Sequence, residues 1–135
     1  MTQRAIVRTF ALGNILLGLG ALGSVFGALP VRYWLVDAAS VLLAALLFAS
    51  AWGLYRDQPW GLSALRVSAL CELSLGLAAI AALALGLAYL GGVHGAVGKA
   101  GLNWLIVGSL LITPYLIAYP VLQLVWIRAR TGASA

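Results

Sequence analysis

The chain has 135 residues, of which 64% are hydrophobic and 8% charged, and its mean hydropathy is +1.07. Such a composition excludes an ordinary soluble domain and predicts an all-α integral membrane protein: one domain, with room for about four spans of ~20 residues. The net charge of +5 does not point to nucleic acid, because the basic residues stand at span ends, where they orient helices and meet lipid headgroups.

A polar tail with Arg4 and Arg8 precedes the first apolar stretch, 9–29, broken only by Asn14 and Ser24. This run is longer than the 7–15 residues of a signal-peptide core, and Pro30 spoils a cleavage site, so it reads as a retained helix. Gly13, Gly20 and Gly27 recur every seven residues, and Gly23 with Gly27 makes a G-x-x-x-G, which predicts a close-packing helical face. The second span, 33–55, has a largely small-residue surface and carries Asp37 about one turn inside it. The polar hinge from Arg56 to Gly61 places Pro59 at a helix start, where its missing N–H costs nothing.

The third span, 64–90, is the only one with an acid well inside it, Glu72. Gly76, Ala79, Leu83 and Gly86 follow at steps of three and four, so Glu72 shares a small-residue face that should point into the bundle or a dimer interface. A glycine-rich loop with His94 and Lys99 leads to the fourth span, 102–127, which contains Pro114 and Pro120. Each proline bends its helix and frees a carbonyl four residues earlier, Leu110 and Leu116 respectively.

Alternate connections lie on opposite membrane sides, which groups Arg4, Arg8, Arg56, Arg66, Arg128 and Arg130 against Arg32 and Lys99. The positive-inside rule then puts both termini in the cytoplasm. Trp34 and Trp104 fall at the outer boundary this predicts, and Trp52, Trp60 and Trp126 near the inner one.

In this topology Asn14, Glu72, Tyr119 and Gln123 share an inner layer and are the candidate ligand- or ion-binding residues, while Asp37 and Asn103 form an outer polar layer. An acid in a membrane helix must be paired, neutral or wet. Three readings follow for Glu72: a polar clip with Asn14 or Gln123, a proton- or cation-exchanging site, or a shallow partner of Arg8 or Arg66.

Other chemistries fail on residue counts. The single histidine cannot build a two-histidine haem site or a histidine-based zinc site in one chain. Gly98-Lys99 lacks the rest of a phosphate-binding loop, since Val93 and Ala100 stand where Gly and Ser or Thr are required. Cys71, the only cysteine, has neither a disulfide partner nor a histidine base. No cofactor is implied, and nothing supports an enzyme.

The preference for Ala, Leu and Gly, with Arg over Lys, resembles that of small bacterial inner-membrane proteins. Size and helix number are similar to those of small multidrug transporters. Their acid lies in the first helix, where this chain has Asn14, so no residue role carries over. The leading expectation is a structural or interaction role, as a homo-oligomer or a subunit of a membrane complex, packing through Gly13, Gly20, Gly23, Gly27, Gly76 and Gly86. The alternatives are a small proton- or cation-coupled transporter using Glu72, and an enzyme or binder acting on a lipid or quinone in a groove beside the Pro-bent fourth helix. Transport requires a polar cavity at Glu72, a scaffold requires Glu72 sealed and hydrogen-bonded, and lipid or quinone binding requires an apolar groove ending in polar groups.

Overall fold

The computed structural model describes residues 3–23, 26–27, 34–91, 103, 106–107, 110 and 113–132. The described residues are helical throughout apart from the tight turn after Tyr55. They form α1 (Gln3–Gly23), α2 (Trp34–Tyr55), α3 (Gly61–Gly91), a π-helical turn (Pro114–Ala118) and α4 (Tyr119–Gly132). The first three helices are long and apolar enough to cross a membrane. The fourth apolar span is described only in part, and the glycine-rich loop with His94 lies outside the described residues.

α1 begins at Gln3, six residues before the apolar stretch, because Arg4, Ala5 and Arg8 are good helix formers and nothing breaks the run. Thr9 returns its hydroxyl to the Ala5 carbonyl at 3.0 Å, which satisfies it without a neighbouring helix. α2 ends at a left-handed residue, Asp57, with φ of +50°. There Gln58 N–H donates to Gly53 O at 2.9 Å and Asp57 N–H to Leu54 O at 3.3 Å, the paired bonds that close a helix through a left-handed stop. The chain then reverses so tightly that a Cβ on Gly61 would lie 2.7 Å from the Gly53 carbonyl carbon, so both positions need glycine.

The π turn starts at Pro114, and Tyr119 N–H donates back to Pro114 O, five residues earlier. Pro120 is buried one residue into α4 and has no N–H to offer the Leu116 carbonyl. That carbonyl is directed at α3, where a Cβ on Gly76 would sit 2.5 Å from it.

α1 packs on α2, α2 on α3, and α3 on both the π turn and α4. The core joins all four helices through Ala11, Ala51, Leu54, Leu65 and Ile127, with Phe10 and Trp126 packed against it. Phe10 meets Trp126 at a ring separation of 5.3 Å and Tyr119 edge-on at 6.2 Å. Gln3, Asp57 and Arg130 line one cleft, so the start of α1 and the end of α4 share one end of the bundle, here the terminal end. Among the described residues, the buried ones are confined to positions 11–18, 44–54, 61–76 and 120–127.

Candidate functional site

Four polar residues of the bundle meet between α1, α2 and α4. Asn14 is fully buried and is the hub: its Nδ2 donates to Ser50 Oγ at 2.7 Å, and its Oδ1 accepts from Gln123 Nε2 at 2.7 Å and from Tyr119 OH at 2.8 Å. Tyr119 OH is also 3.1 Å from the Phe10 carbonyl. Ser50 passes its own proton to the Leu47 carbonyl at 2.8 Å. One amide thus ties α1 to α2 and α4. Apolar surroundings explain the convergence, since a polar group left facing hydrocarbon costs more than one paired across helices.

Glu72 stands apart from this network. It is 1% exposed, yet its Oε2 has no hydrogen-bond partner among the described residues. Among the described residues it is not bonded to Asn14 or Gln123, nor ion-paired with Arg8 or Arg66. Among the described residues, the bonds expected for the polar clip and for the shallow salt bridge do not occur. Ser68, one turn earlier, bonds only the Leu65 carbonyl of its own helix, at 3.0 Å.

Glu72, almost without exposed surface, is among the residues that line a groove of about 710 Å³ between α1, α2, α3 and the π turn. Its walls are apolar: Leu16 and Gly20 of α1, Ala39 and Leu43 of α2, Leu75 and Ala79 of α3, and Leu116 of the π turn. Ser40 and Tyr115 supply the hydroxyls, and Glu72 the only ionisable carboxyl. A concave apolar space of this size with a few convergent polar groups has the character of a small-molecule site. Pro114 and Pro120 contribute by shaping the segment that closes one wall.

The remaining candidates are scattered. Asp37 is half-buried in the first turn of α2, with its Oδ1 unpartnered among the described residues. Asn103 is helical and exposed, so these two form no common site with Glu72 in what is described. Of the glycines, a Cβ on Gly13 would collide with the Tyr119 ring and hydroxyl, and Gly76 abuts Leu116. Among the described residues, Gly20, Gly23 and Gly27 have nothing within 4 Å of a Cβ, and Gly86 is half-buried. Among the described residues no cluster of three potential metal ligands occurs.

Sequence reasoning missed Ser50 and Gly18. Ser50 is one of many small residues in α2, and only its antiparallel register with Asn14 singles it out. Gly18 is buried because a Cβ there would come 2.8 Å from the Phe48 ring, a contact with no periodic signature.

Comparisons with protein-family models, with curated proteins and with solved structures found no match.

Proposed function

We propose that this chain is a bacterial inner-membrane protein that crosses the bilayer four times, has both termini in the cytoplasm, and binds an apolar-tailed molecule, a lipid or a quinone. The tail lies in the groove and the hydrogen-bonding head meets Glu72. The observation that carries this reading is the unpartnered Glu72 Oε2 beside an apolar groove. An acid serving only to hold helices together would be bonded inside the bundle, and a transport site would be lined by polar groups; neither describes Glu72 here. A carboxyl suits the proposed head because it donates when neutral and accepts when charged.

The test is photolabelling of the full chain in nanodiscs, using a quinone and a phospholipid that each carry a diazirine in the tail. Labels from the bound probe should concentrate on segments containing Leu43, Leu47 and Leu75, and Glu72→Leu should cut them about fivefold to tenfold, the loss of one or two hydrogen bonds. Labelling spread evenly over all apolar faces, or unchanged in Glu72→Leu, contradicts the proposal.

A second reading, self-association, is favoured by the glycine face of α1, where Gly20 and Gly23 have nothing within 4 Å of a Cβ among the described residues. Gly20 also lines the groove, so a second copy and a groove ligand would compete. Gly23→Val should dissociate an oligomer measured by sedimentation in micelles; a monomer before and after the change removes this reading.

A further inference from the structure

The terminal end carries a second, separate arrangement. Arg4 and Arg8 of α1, Asp57 after α2 and Arg130 of α4 line a cleft of about 460 Å³. All three arginines are exposed, and none is ion-paired among the described residues. Three guanidinia against one carboxylate leave the cleft positive. Directly adjoining it, an apolar groove of about 590 Å³ runs between α1 and α2, lined by Leu12, Ile15, Phe48 and Trp52. Arg8 and Tyr55 line both spaces, so cleft and groove adjoin at these residues. Neither shares a lining residue with the Glu72 groove.

We infer that this surface binds one anionic phospholipid, its phosphate held by Arg8 with Arg4 and Arg130, and one acyl chain laid in the α1–α2 groove. The groove follows α1 from Arg8 to Ile15, about 10 Å at 1.5 Å per residue, which is most of one leaflet of a ~30 Å hydrocarbon core. Guanidinia match phosphate oxygens in a forked geometry that an ammonium does not offer. Trp52 and Tyr55 sit where amphipathic rings accompany headgroups, and Arg56 is stacked over Trp52 at 4.4 Å, holding that indole at the groove wall. The charge of the cleft and its contact with the groove select this occupant: a free phosphate would leave the apolar groove unused, and a zwitterionic phospholipid would bring a quaternary ammonium against the three arginines.

The experiment is native mass spectrometry of the full chain in mixed micelles with dioleoyl phosphatidylglycerol or dioleoyl phosphatidylcholine. One phosphatidylglycerol per chain should be retained in clear preference to phosphatidylcholine. Arg8→Gln should weaken it about fivefold, and Arg8→Gln with Arg130→Gln about 25-fold. Arg66→Gln with Arg128→Gln removes the same charge outside the cleft and should leave retention unchanged. If the Arg8 and Arg130 pair of changes prevents folding, Arg4→Gln with Arg130→Gln serves in its place. Equal retention of phosphatidylcholine, an equal loss in the Arg66 and Arg128 control, or displacement of the lipid by inorganic phosphate at micromolar concentration would each overturn the inference.

Discussion

Gln123 Nε2 donates to Asn14 Oδ1 at 2.7 Å, joining α4 to α1 across 109 positions of sequence. Phe10, Trp126 and Ile127 pack around the same crossing, but this bond and that from Tyr119 set its register.

Asn14→Leu removes all three bonds at the hub and leaves Gln123 and Tyr119 without their shared acceptor. Interhelical hydrogen bonds inside membranes average about 0.6 kcal/mol and reach about 1.7, so the substitution should cost about 2 kcal/mol in all. Ser50→Ala removes one and should cost about 0.5–1 kcal/mol. Unfolding titrations in mixed micelles measure both, and equal effects from the two changes would mean that Asn14 is not the hub.

The glycines divide into two kinds. Gly76→Ala drives a methyl into the Leu116 carbonyl, backbone that cannot rotate away, and should cost about 1–3 kcal/mol. Gly20→Ala enters open space and should be neutral or stabilising by up to about 1 kcal/mol through helix propensity. The same titration compares them, and a loss at Gly20 as large as at Gly76 would show that another chain or ligand occupies that face.

Asp57 holds a left-handed conformation at the end of α2 that glycine adopts without a Cβ penalty. Asp57→Gly should therefore raise stability by about 0.5–1 kcal/mol, read as an upward shift in thermal denaturation. A lower midpoint would mean that the Asp57 carboxylate makes a compensating contribution.

Much of the architecture was legible because a membrane restricts the options. Apolar runs of spanning length and the Pro59 hinge mark out α2 and α3, and the rule that polar side chains avoid lipid groups Asn14, Tyr119 and Gln123 in one layer. That rule does not say who pairs with whom. It suggested Glu72 as a partner of Asn14, whereas Asn14 bonds Ser50, Tyr119 and Gln123 and, among the described residues, not the acid. The seven-residue glycine spacing likewise gives a face but not its contact. Gly13 lies against Tyr119, while Gly20 and Gly23 have nothing within 4 Å of a Cβ among the described residues. The π turn is invisible to a 3.6-residue pattern, since prolines signal a bend without fixing its form.

Reservation of Glu72 for a ligand is tested most directly by the unfolding free energy of wild type and Glu72→Leu in lipid-free micelles, each titrated with a short-tailed quinone or lipid. A buried carboxyl without a partner costs stability, so Glu72→Leu should be more stable by about 1–3 kcal/mol when ligand is absent. Only the wild type should then gain stability as ligand is added. If Glu72→Leu is instead the less stable protein and neither responds to ligand, Glu72 is bonded within the bundle in solution and the groove is not its purpose.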